Sequence, residues 1–298
     1  ISDSAITGNG GGIYVSNGDP QFEDVQISLC NAQFGAGIYL EQSSAVMSGM
    51  LILDVTAQQQ GGGIFVDGSD PIIEDLTIGN AMAMADGGGI FAEDSPLTLQ
   101  YSEINACSTN GGDGGGIYLL RSDAQLSNVV VADCESTTML GGGLVAMNAS
   151  PVVSNSVFAG NHATTDGGGI YLAGSDGWFD AVKVLDNEGT AAGGGMHLDG
   201  GTHSLYNMVI HGNSSGIYAR GNASLTMANC SITSNDMATD GGLTCNGCTL
   251  MATNNNAFAN MPANYSGVFD PTGSDGNIAE NPLYLSTASS NALDWDLH

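Results

Sequence analysis

Lysine and arginine are nearly missing from this chain: there are 3, against 31 Asp and Glu, for a formal net charge of −28. Nucleic-acid binding neutralises phosphates with cationic side chains, and three cations exclude it. The same shortage excludes attraction to anionic lipid. No apolar run reaches the ~18 residues of a transmembrane helix, which excludes direct membrane insertion by a helix, and no basic segment leads into an apolar one as in a signal peptide. Helix-length amphipathic stretches are also missing, which argues against leucine-rich and helical repeats. With only 7 Pro and 42% apolar residues, the chain is not a disordered Gly/Pro tract. An acidic surface of this kind attracts Ca²⁺ and cationic partners; alternatively, it only keeps a long sheet soluble.

What the chain has in excess is glycine, 45 of 298 residues, and it is grouped. Gly10-Gly11-Gly12-Ile13-Tyr14 returns as Gly35-Ala36-Gly37-Ile38-Tyr39, Gly61-Gly62-Gly63-Ile64-Phe65 and Gly114-Gly115-Gly116-Ile117-Tyr118, and weaker copies continue to Gly241-Gly242-Leu243. Successive copies lie 25 to 27 residues apart, with one step of 21. Self-similarity at a fixed period marks a solenoid. Each repeat holds a glycine corner, a short apolar-aromatic strand, an Asx- or Gly-rich turn such as Ser16-Asn17-Gly18-Asp19-Pro20, and a strand of period-2 alternation such as Ile73-Glu74-Asp75-Leu76-Thr77-Ile78. Three short strands per ~26-residue turn predict an all-β, right-handed parallel β-helix. Nearly ten rungs at about 4.8 Å make a rod of roughly 45–50 Å. Coils are expected over residues 1–248, with a last rung and a non-repetitive closing segment over 249–298.

A ladder recurs three residues after an inward apolar side chain: Cys30, Cys107, Cys134, Asn161, Asn187, Asn213 and Asn235. Stacked Asn amides satisfy one another while bonding the turn backbone, and Cys fits the slot as a small buriable residue. Val55 breaks the series, and Asn80 reads as a slip by one.

The paired Gly-Gly-x-Ile and Phe-x-x-Asn motifs resemble the repeats of polymorphic outer-membrane proteins and the wider parallel β-helix family of bacterial surface and secreted proteins. That resemblance covers about residues 1–260. It implies an extracellular or cell-surface adhesin, passenger or matrix component, usually within a much larger protein, and by that comparison the chain looks cut at both ends. This chain departs from those repeats in using Gly-Gly-Gly more than Gly-Gly-Ala.

Several constellations carry possible chemistry. Asp86 and Asp113 precede successive glycine corners and would stack into a carboxylate pair open to Ca²⁺, or else cap the turns. Asp270, Asp275 and Asn277 have the oxygen-rich spacing of a Ca²⁺ loop without the distal Glu of an EF-hand. Cys107 and Cys134 occupy one slot in consecutive coils, at a Cα spacing within disulfide range. Cys245-Asn246-Gly247-Cys248 reads as a local disulfide at a turn, a redox pair or half a zinc site being the alternatives. The five histidines, His162, His197, His203, His211 and His298, share no slot and read as turn and surface residues. The aromatic column Tyr14, Tyr39, Phe65, Phe91, Tyr118 and Tyr171 follows an inward Ile, so alternation sends it outward. It is then either an exposed face for glycan or protein, or a cross-rung stack.

Polysaccharide lyases and hydrolases share the expected fold, but the cations Arg121, Lys183 and Arg220 lie in different coils, and a −28 surface repels uronates. The reading is therefore a non-enzymatic structural or adhesive rod, self-associating end to end or engaging other surface proteins or glycans. The alternative is a carbohydrate-active enzyme or glycan-binding module.

Overall fold

The alternating strands bury one side of each coil and pair with the equivalent strand of the next. A computed structural model describes residues 1–236 and 240–283; Tyr284 to His298, part of the expected closing segment, lie outside the described residues. The strands form three parallel sheets of 11, 16 and 7 strands, and there is no helix among the described residues. The first sheet carries the Ile-Tyr/Phe strands, from Ile13–Ser16 to Tyr265–Ser266, in unbroken register: Ile38 opposes Ile64, which opposes Ile90, which opposes Ile117. The second sheet bends midway along each rung and holds the long alternating strands. The third is built of two-residue strands such as Asn31–Ala32 and Ser108–Thr109. Thr249–Thr253 and Asn256–Phe258 form the last rung of the bent sheet.

One continuous core runs the length of the rod, with columns such as Ile27, Ile52, Ile78, Ile104 and Val131 fully buried. Burying an aliphatic side chain contributes about 1.5–3 kcal/mol, so each coil gains its stability by covering its neighbour.

The corners repeat as regularly as the strands. A left-handed residue precedes the ladder position in each coil, as at Asp54, Asn80, Ala106 and Asp133. Where the inward side chain that follows is Asn, from Asn161 to Asn260, its Oδ1 accepts a backbone N–H of the coil before it. Asn161 Nδ2 donates to Asn187 Oδ1, Asn187 Nδ2 to Asn213 Oδ1, and so on through Asn235 and Asn260 to Asn264, each step near 3.0 Å. Each of these amides from Asn161 to Asn260 also donates to a backbone carbonyl of the preceding coil, as Asn187 does to Phe158 O at 3.0 Å. The expected slip at Asn80 is corrected. Ala81 fills the buried column, and Asn80 is the exposed left-handed residue before it, donating to Asp54 Oδ1. A second ladder, of serine, was not read from the sequence: Ser43 N donates to Ser69 Oγ, Ser69 N to Ser95 Oγ and Ser95 N to Ser122 Oγ.

Candidate functional site

The aromatic column is a stack rather than an exposed face. Tyr39, Phe65, Phe91, Tyr118 and Tyr171 are buried; only Tyr14, on the first strand, is open, at 50%. Ring centroids from Tyr14 to Tyr118 lie 4.9–5.4 Å apart and nearly parallel. The side chains do point away from the core, as alternation requires, but the corner segment before each strand folds back over them. Phe34 and Leu140, from two such segments, pack into the stack, and a Cβ added at Gly61, Gly87, Gly114 or Gly167 would meet the Cβ of the aromatic residue four positions on. Of the two readings of this column the cross-rung stack holds, and the exposed binding face is corrected at the five buried rings. Tyr171, His197 and Tyr218 continue the column, with ring centroids 4.9 and 5.0 Å apart. His197 and His203 are fully buried, against their reading as surface residues, because each takes an inward or covered strand position. His298 lies outside the described residues.

Asp86 and Asp113 cap corners. Asp86 Oδ1 accepts Asp113 N at 2.9 Å, and Asp113 Oδ1 accepts Leu140 N at 2.7 Å. Burial, reinforced by Asp86, pushes the Asp113 carboxyl up to about 6 against the opposing pull of the Leu140 amide. Its ordinary value is 3.8, so between the two values the folded chain holds a proton that the unfolded chain has released. Stability from this group accordingly rises as pH falls from about 7 to about 4. Asp113→Asn keeps the acceptor for Leu140 N and removes the buried charge. It should gain about 1 kcal/mol at pH 7.5, an advantage that vanishes below about pH 4, read from denaturant midpoints of both proteins across that range.

The expected Ca²⁺ loop has another use in part. Asn277 is buried, and its Oδ1 accepts Asn255 N and Nδ2 at 3.0 Å, so its side chain is a ladder rung and its assignment as a metal ligand is corrected. Asp270 Oδ1 accepts Thr272 N, and the Asp275 carbonyl accepts Asn254 N. Among the described residues no group of three or more His, Cys, Asp or Glu side chains is placed to hold a metal ion.

Cys245 and Cys248 are disulfide-bonded. Cys107 and Cys134 are free and buried, so the bond considered between them is not formed. Stacked in register at successive corners, the two side chains both turn into the core, and each Sγ donates to the carbonyl two residues back, Asn105 O and Ala132 O. Of the cations, Arg121 is held by Glu93 and Asp94, and Arg220 by Asp199.

Two surface depressions lie on the bent sheet. One, of about 450 Å³, separates the strand Thr249–Thr253 from the closing loop, beside the exposed Met251 and Phe269. The other, of about 220 Å³, crosses three rungs at Pro151, Val152, Asp176, Trp178, Thr202 and Ser204. Trp178 was not singled out from the sequence. Its signal was the alternation in Gly177–Asp180, where Phe179 turns inward and Trp178 must turn out.

A family model described as a right handed beta helix region matches residues 1–126 and 35–188. No curated protein and no solved structure matches the chain.

Proposed function

The chain belongs to the right-handed β-helix family, and on that premise we propose that it is a non-enzymatic structural or adhesive protein of the cell surface or extracellular space, a stiff acidic rod. The observation that carries this reading is the use to which the repeated side chains are put. The aromatic stack, the Asn ladder and the Ser ladder are all buried between coils, where they build the rod. Pairing of both arginines with carboxylates weighs against a lyase that uses an arginine as its base. The reading includes end-to-end contact, which joins strand edges wherever an end rung of a β-helix is left open, and Ca²⁺ bridging between acidic corners would strengthen such joints.

Small-angle scattering and negative-stain imaging, with and without Ca²⁺, test it. Rods well beyond about 50 Å are expected, longer with Ca²⁺. Particles of a single rod length under both conditions would remove the filament part, and turnover of a neutral polysaccharide would remove the non-enzymatic part.

A further inference from the structure

We propose that the depression around Trp178 is a docking site for an arginine side chain of a basic partner protein. Trp178 is 38% exposed on the outer face of the bent sheet, flanked by the exposed Val152 in the preceding coil and by Tyr206 in the next, whose ring centroid lies 6.5 Å away. Asp176, two residues before Trp178, lines the same depression. Its Oδ1 accepts Thr202 N at 2.7 Å, which fixes the carboxylate beside the indole. Two coils earlier, Asp123 is fixed in the same way by Ser150 N at 2.7 Å, and on the other side of Trp178 Asp180 Oδ1 accepts Asn207 Nδ2 at 2.6 Å.

An aromatic ring with a carboxylate held beside it suits a guanidinium, which stacks on the ring while its N–H groups reach the acid. Size points the same way. A depression of about 220 Å³ is below the ~300 Å³ at which small-molecule pockets begin, and it suits one side chain. A glycan chain would need further platforms, yet the outward positions in register on either side of Val152 and Ser204 are Gln125 and Thr226. The −28 net charge steers cations toward the surface. These 298 residues are themselves a poor source of that arginine, with three Lys and Arg and both arginines already held by acids.

This assignment adds a partner chemistry to the adhesive reading and rests on it only for the rod as carrier. Binding to dilute single rods tests the depression whether or not rods assemble. The probe is a capped tripeptide with a central arginine, compared with its neutral citrulline counterpart by NMR titration of the full chain. The arginine peptide is expected to bind at least about fivefold more tightly than citrulline. Trp178→Leu, which keeps an apolar side chain on the strand, should weaken it about three- to tenfold. Asp176→Asn should weaken it about threefold, whereas Asp54→Asn, the same charge change about five rungs away, should leave it within about 1.5-fold. Equal binding of the two peptides, equal effects of the two Asp variants, or indifference to Trp178→Leu would each overturn the proposal. So would Trp178-dependent binding of a neutral cello- or chito-oligosaccharide with the peptide silent.

Discussion

Gly116→Ala is expected to break the rod. A Cβ on Gly116 would sit 2.6 Å from Gly143 O and 2.6 Å from Val131 Cγ1. Neither can retreat, because Gly143 O accepts Ile117 N at 2.8 Å and Val131 is fully buried between coils. The third glycine of every triplet faces the same obstacle, the carbonyl of the following coil, from Gly12 at 2.7 Å to Gly195 at 2.7 Å. The other two positions are constrained differently. The first, Gly114, needs a left-handed φ of 68°, where alanine costs about 1–2 kcal/mol. The middle one is already Ala36 and Ser215 in two coils. Backbone overlap in a packed stack should cost about 3–5 kcal/mol, a large share of a typical folding margin. Since each coil is stabilised mainly by its neighbours, the damage should sever the array locally. Limited proteolysis should cut near residue 116 in the variant and spare the wild type. A Gly116→Ala protein that keeps the wild-type melting temperature and protease resistance would contradict this account.

Asn187→Ala is expected to cost nearly as much, for an electrostatic reason. Asn187 Oδ1 accepts both Asn161 N and Asn161 Nδ2, and Asn187 Nδ2 donates to Phe158 O and Asn213 Oδ1. Truncation leaves Asn161 N and Phe158 O without these bonds in a site closed to water. At about 1–3 kcal/mol for each buried orphan, the loss should be about 3–5 kcal/mol. Asn80→Ala is the control, the same residue type on the exposed corner one position out of the column, and should cost about 1 kcal/mol or less. Comparable denaturant midpoints for the two variants would remove the ladder from its assigned role.

The period, the parallel strands and most of the ladder were legible in the sequence because each depends on side chains at fixed spacing. Features set by neighbouring segments were not. Asn80 was misplaced because a left-handed corner and a buried ladder both favour Asn, and only the coil register separates them. Tyr39 and Phe65 were correctly given outward directions, but alternation within one strand says nothing of the corner that folds over it. Cys107 and Cys134 are neighbours as expected, yet the parallel direction of their side chains is a property of the stack. Asn277 looked like part of an ion loop because its oxygen-rich surroundings are shared by Ca²⁺ sites and tight turns, and its burial against Asn255 appears only on folding.

Coil length varies almost entirely at one corner. Ile38 to Val55 and Ile170 to Asn187 span the same 17 residues, while the stretch from ladder to next strand runs from 4 residues, Asn213 to Ile217, to 10, Cys134 to Leu144. In terms of inheritance, the rod has a modular grammar. A whole coil can be duplicated or deleted without disturbing any column, and residues can be added at that one corner at little cost. A single-residue insertion in a strand turns inward side chains outward along that stretch. Rod length and the cover over the aromatic stack can therefore change independently.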